Sequence, residues 1–211
     1  MKGISHLLLV DAMLGKLGHF LRILGIDTEI ADSTCSDTQI LEDARAKNRV
    51  IVTRDKAFFQ RTKKFTLHDT APPHDLGLYL ADQDLETCLA DIFTHFGISP
   101  IHYLWDLSRE QLDSNLQEIR LDNDAAKKLS PEIPFISRCS VCNAQVMNIS
   151  REEAQSRIPQ GTFEHHQQYW LCSNPKCGKV YWRGSHWNDI HAMLIRVAGK
   201  YTQSTKNLKN S

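Results

Sequence analysis

With 211 residues, 41% hydrophobic and 24% charged, the chain has the balance of a globular protein and room for one ordinary domain plus a small second one. No apolar run approaches the roughly 20 residues of a membrane span, and His6 to Val10 is too short, and too soon interrupted by Asp11, for a secretory core. The formal charge is zero, yet Ser173 to the end holds seven Lys or Arg against Asp189 alone, a basic end suited to phosphates, while nine acids face Arg109 and Arg120 between Asp84 and Asp124. The expectation is an intracellular protein, cytoplasmic or nuclear, with no membrane contact.

Leu7 to Val10 reads as a short buried strand that ends in Asp11, although four apolar residues alone do not exclude a helix. Leu14, Leu17, Leu21 and Leu24 then recur at helical spacing, with Gly25 as the stop and Lys16, His19 and Arg22 facing away from the stripe. Gly15 and Gly18, poor helix formers, suggest close backbone approach in the first turns. Ile26 to Ala31 alternates as a second strand, and Ser36 is placed to cap a helix beginning at Asp37. Val50 to Thr53 is a β-branched strand followed at once by Arg54 and Asp55, with a helix from Lys56.

Strand and helix alternate in the manner of a parallel sheet. A fourth strand is expected within Leu76 to Leu80, after a loop through Pro72-Pro73, and an amphipathic helix from Leu85 to Gly97. Leu107 to Ile119 suggests one more helix in an acidic stretch bounded by Pro131 and Pro134. The division expected is 1–100 for the α/β domain, 101–135 for an acidic helical insertion or linker, and 136–211 for a cysteine-rich module with a basic helix and tail.

Asp11, Asp37 and Asp55 are separated by about one strand–helix unit each, so a parallel sheet carries all three to its carboxyl edge, where α/β proteins place ligand crevices. Juxtaposed carboxylates repel unless a cation lies between them. Mg²⁺ or Mn²⁺ suits such oxygen donors and would keep waters for a phosphate substrate and a nucleophile. Thr53 is placed to orient Asp55, and Arg54 or Lys16 to meet a phosphate. Caps and salt bridges would explain each acid equally well one at a time, Asp37 above all, since the first turn of a helix favours an acid in any case.

Cys139-Ser-Val-Cys142 and Cys172-Ser-Asn-Pro-Lys-Cys177 form two close pairs, while Cys35 and Cys88 stand alone. Paired cysteines in an intracellular chain point to a tetrahedral, structural Zn²⁺ site rather than to disulfides, with reduced free thiols as the alternative. The second pair has four intervening residues where two are more usual. Just beyond it, Lys179, Tyr181, Trp182, Arg183 and His186 interleave aromatics with cations, as in a surface that stacks bases and meets phosphates; at least one of Tyr181 and Trp182 is expected instead to pack the module. The helix from Trp187 to Val197 is expected to dock onto the body.

These stretches resemble the Mut-seven C-terminal RNase domain family. The likeness lies in Val10 to Leu17, Phe20 to Gly25, Ser36-Asp37, Thr53-Arg54-Asp55, Arg138 to Asn143 and Cys177 to Trp187. It implies a PIN-like three-layer α/β fold with a central parallel sheet followed by a small zinc ribbon. It also implies a metal-dependent ribonuclease with Asp11, Asp37 and Asp55 as site acids and RNA, single-stranded or structured, as substrate. PIN-like sites often use a fourth acid, for which Glu42 is a weak candidate. The competing reading is a non-catalytic RNA-binding or adaptor protein on the same scaffold. A phosphatase or receiver-like site fits less well, because Asp11-Ala12-Met13 lacks a second acid two residues on.

Overall fold

The computed structural model describes residues 7–67, 74–100 and 138–209. A four-stranded parallel sheet lies at its centre, with β1 (Leu7–Val10), β2 (Thr28–Ile30), β3 (Arg49–Thr53) and β6 (Gly77–Tyr79) in the order β2-β1-β3-β6. The register sets Val10 between Ile30 and Val52, and Thr53 beside Tyr79. β3 and β6 therefore end level with Asp11, and β1 and β2 one residue before it. All of β3 is buried, as its β-branched sequence requires of a central strand.

The first crossover begins with a 3₁₀ turn (Ala12–Leu14) and continues as α1 (Gly15–Ile23), whose Leu17 and Leu21 face the core. A Cβ on Gly18 would lie 2.8 Å from Val10 Cγ2 and 2.7 Å from Ile30 Cγ1, so the close approach expected there is real. At Gly15 nothing lies within 4 Å, and the expectation fails. The second strand is shorter than the alternation suggested, since Ile26 and Asp27 belong to the turn that leads into it.

α2 (Asp37–Ala46) starts at a capping box in which Ser36 accepts from the Gln39 N–H and Gln39 bonds back to the Ser36 N–H. α3 (Lys56–Thr62) follows β3. The stretch read as a loop is flanked by a short antiparallel ladder, β4 (Thr66–Leu67) with β5 (His74–Asp75). α4 (Leu85–His95) buries Cys88, Leu89, Ala90, Ile92 and Phe93, lies against α1, and is covered on its other side by the last helix.

A second, three-stranded antiparallel sheet orders β7 (Val146–Ile149), β8 (Tyr169–Cys172) and β9 (Val180–Trp182), with short helices α5 (Arg151–Gln155) and α6 (Gln160–His165) between β7 and β8. The last helix, α7 (Ser185–Lys209), inserts Met193, Leu194 and Val197 into the core shared with the parallel sheet. Arg196 reaches Glu86 at 2.7 Å and Lys200 reaches Asp84 at 2.7 Å, so the expected docking onto the body is seen. None of the helices among the described residues is long and apolar enough to cross a membrane. The helix expected within Leu107 to Ile119, and the whole acidic stretch 101–135, lie outside the described residues.

Candidate functional site

The carboxyl edge of the parallel sheet is organised by Thr53, a wholly buried residue at the end of β3. Its hydroxyl donates to Asp11 Oδ2 at 2.8 Å and accepts the Asp55 N–H at 3.0 Å. One side chain thus fixes Asp11 directly and Asp55 through its backbone. Asp55 is the N-cap of α3, with Oδ1 accepting the Phe58 N–H at 2.8 Å. Each of these acids therefore has a local structural role and still presents a carboxylate oxygen at the edge.

Asp37 opens α2 and pairs with Arg61, in the last turn of α3, at 3.0 Å; Arg61 also donates to Thr38. Lys16 lies exposed in the first turn of α1, and Arg54 is half-buried. Glu42 is exposed on α2. Among the described residues, the four paired cysteines are the one group whose potential ligand atoms all lie within 4.8 Å of one another. Asp11, Asp37 and Asp55 do not form such a group.

Two acids on this edge escaped the sequence reading. Asp82 follows β6, the neighbour of β3, and its carbonyl receives the Cys88 thiol at 3.3 Å. On α4, burial and then the nearby Asp82 push the half-buried Asp91 carboxyl above its ordinary range. For Asp82 the missed signal is the same one that marked Asp11, an acid shortly after an apolar strand; Asp91, inside α4, carries no such signal.

The cysteine cluster lies at the opposite edge. Cys139 Sγ is 3.6 Å from Cys177 Sγ, and Cys142 Sγ is 3.4 Å from Cys172 Sγ. Four thiolates at Zn–S distances of about 2.3 Å stand about 3.8 Å apart at the corners of a tetrahedron, so the sulfurs fit that ion. They also form no disulfide. Both turns follow one plan despite their unequal spacing. The first cysteine N–H bonds to the carbonyl two residues past the second cysteine, Cys139 to Ala144 and Cys172 to Lys179. The residue after each second cysteine takes positive φ, 66° at Asn143 and 57° at Gly178.

The extra residues of the longer pair are absorbed by a turn centred on Asn174, whose carbonyl accepts from Cys177 and Gly178 and whose side chain accepts from Lys176. His165, His166 and His186 take no part in the cluster. The thiols answer oppositely to their crowding. Burial opposes ionisation of Cys139, but the Tyr181 hydroxyl and the N–H groups of Cys142 and Val141 bring it down to about 6. Burial drives Cys172 strongly upward. A cation among the four sulfurs removes this conflict.

This cluster is bound to the amino edge of the parallel sheet by a buried network. Arg22, read from sequence as facing away from the leucine stripe, is 6% exposed. Its guanidinium donates to Thr28 O at 2.7 Å, Ser140 O at 3.0 Å and Val141 O at 2.9 Å. His19 Nδ1 lies 2.6 Å from the same Ser140 carbonyl. Asp27 accepts from Arg49, Arg138 and Asn143, all within 2.9 Å. The first cysteine turn is thus what covers the end of α1.

All five residues proposed from sequence to meet RNA, namely Lys179, Tyr181, Trp182, Arg183 and His186, line one cleft of about 260 Å³. Ile23 of α1, Arg138, Trp170 and Ile190 of α7 share its walls. Lys179 Nζ sits 5.6 Å from the Tyr181 ring centroid, and the Arg183 guanidinium 5.6 Å from that of Trp170. Tyr181 has a second task, because its hydroxyl donates to Cys139 Sγ at 3.1 Å and accepts the Ser140 N–H at 3.1 Å.

The assembly so described is an α/β protein with acids along the carboxyl edge of a parallel sheet and a four-cysteine module fastened to the other edge. A family model described as the Mut7-C RNAse domain matches residues 6–194. The chain belongs to that family, which gives it a nuclease-like role with RNA as the substrate class. No curated protein and no solved structure matches it.

Proposed function

We propose that the protein is a PIN-like ribonuclease that hydrolyses RNA phosphodiester bonds with Mg²⁺ or Mn²⁺ at Asp11, Asp37 and Asp55. The observation that carries this reading is Thr53, which ties Asp11 and Asp55 together at the ends of adjacent strands. The oxygen donors suit a hard cation, and such an ion would supply an activated water and charge for the phosphate. The chain's own part is positioning. Thr53 holds one oxygen of Asp11, leaving the other for the centre, and Lys16 and Arg54 neutralise the incoming backbone. Arg61 likewise holds one oxygen of Asp37 and leaves the other, and Asp82, after the neighbouring strand β6, is the acid we assign as the fourth. The cysteine module, read as a zinc ribbon over 136–211 beside a nuclease domain over 1–100, contributes RNA contacts through Lys179, Tyr181, Trp182, Arg183 and His186.

The ion pair of Asp37 with Arg61 also favours a second reading, a non-catalytic RNA-binding or adaptor protein on this scaffold. Purified full-length protein decides between them. Divalent-dependent cleavage of RNA that is lost in Asp11→Asn and on chelation supports the nuclease. Salt-sensitive RNA binding with no cleavage under Mg²⁺ or Mn²⁺ supports the binder. Wild-type cleavage rates in Asp11→Asn, Asp37→Asn and Asp55→Asn alike would refute the site.

A further inference from the structure

The aromatic cleft and the carboxylates lie at opposite edges of the sheet, and two helices measure the distance between them. α1 starts four residues after Asp11 and ends at Ile23, in the cleft wall; its nine residues rise about 13 Å. α7 runs from Ile190, in the same wall, to Lys200, which is bonded to Asp84 at the start of α4; those ten steps rise about 15 Å.

The cleft chemistry is that of an unpaired nucleotide. Lys179, Arg183 and His186 share its lining with Trp170, Tyr181 and Trp182, and no acid does. At about 260 Å³ it falls just below the roughly 300 Å³ at which small-molecule clefts usually begin. Trp182 is 37% exposed and, although the tilted His166 ring lies 6.3 Å from its own, it retains ring surface for a base, whereas Trp170 and Tyr181 carry cations over their rings. Duplexed bases are stacked on one another and offer no free face, so the cleft selects single strands.

We infer that this cleft is a distal subsite for one unpaired nucleotide of the RNA, set so that only a strand long enough to run from the carboxylates to Trp182 is held at both ends. The inference rests on the ribonuclease reading for the identity of the strand, but its test does not depend on cleavage. At the duplex spacing of about 3.4 Å per nucleotide, 13 to 15 Å corresponds to about four nucleotides. A base stacked on an aromatic ring contributes roughly a tenfold gain in affinity or more.

The test is binding of oligouridylates of two to ten nucleotides, read by fluorescence anisotropy at fixed salt and Mg²⁺ with full-length Asp11→Asn protein, in which Lys16, Arg54 and the remaining acids still hold the near end. The expected result is a step of about tenfold as the length passes four to six nucleotides. The step should vanish in Asp11→Asn/Trp182→Ala and for blunt duplexes of equal length. Asp11→Asn/Lys179→Glu, altered at an exposed residue, guards against a folding defect at Trp182 and should lose the step as well. A smooth rise with length that both double variants share with their parent overturns the subsite. Failure of the nuclease reading shows elsewhere, as absence of cleavage by the wild-type protein.

Discussion

The Thr53 hydroxyl sits between Asp11 and Asp55, giving its proton to a carboxylate oxygen of the first and taking the N–H of the second. Thr53→Val keeps the β-branched shape and the burial while deleting both bonds. It leaves the Asp55 N–H without its acceptor in a partly buried place, a loss of about 1–3 kcal/mol. Urea denaturation should show a lower midpoint at unchanged slope. On the ribonuclease reading, cleavage should fall further than stability does, because Asp11 loses the bond that fixes its carboxylate. Cleavage unchanged in a destabilised Thr53→Val would separate Asp11 from the chemistry.

The carboxyl edge was legible because its signals are local. An apolar run that stops in Asp11 or in Thr53-Arg54-Asp55 marks a strand end whatever lies elsewhere, and Ser36 marks the helix start beside it. Arg22 was not legible. On α1 it follows Leu21 and belongs to the polar face, so the helical pattern sends it to solvent. What buries it is Ser140 and Val141, more than a hundred residues on, and no periodicity carries that information. The pairing of Asp37 with Arg61 was hidden for the same reason. Tyr181 shows the opposite limit: alternation of aromatics and cations pointed to the cleft, but not to a hydroxyl turned into the cysteine cluster.

Arg22→Ala removes the donors of three carbonyl bonds that join the cysteine module to the sheet. The Ser140 oxygen keeps His19 as a partner, but the Thr28 and Val141 oxygens lose a charged donor, a loss of about 3 kcal/mol. Arg22→Lys should recover little, since one ammonium cannot reproduce a planar fork aimed at Thr28 on one side and at Ser140 and Val141 on the other. The measurement is thermal unfolding of both variants together with protease sensitivity of the module. Equal melting of Arg22→Ala and wild type would show that the network contributes nothing.

Asp27 makes this same interface sensitive to acid. Burial alone would raise its carboxyl, but the bonds from Asn143 and Arg49 and the charges of Arg49 and Arg138 outweigh it and hold the group below its usual range. A carboxylate depressed in the folded state stabilises above its unfolded pKa of about 3.9, and that contribution is lost as pH falls from there through the folded value. Wild-type stability should therefore fall below about pH 4, and Asp27→Asn should be less stable at neutral pH with a shallower acid limb. Parallel acid limbs in the two proteins would remove Asp27 from the transition.

The two cysteine turns predict both the stoichiometry and the consequence of metal loss. With four sulfurs at near-tetrahedral separations, one Zn²⁺ should copurify per chain, and Cys142→Ser or Cys177→Ser should lose it, whereas Cys35→Ser, at an exposed and distant thiol, should keep it. Because the ligands must be deprotonated, metal release should be driven by acid as well as by chelator. The first turn is also the element held by Arg22 and Asn143, so removing the ion frees the backbone carbonyls of Ser140 and Val141 to leave the sheet. Chelated protein should then expose four thiols to a disulfide reagent and become sensitive to protease within the module, while the parallel sheet keeps its own core. Retention of zinc by Cys142→Ser and Cys177→Ser alike would refute the four-cysteine site.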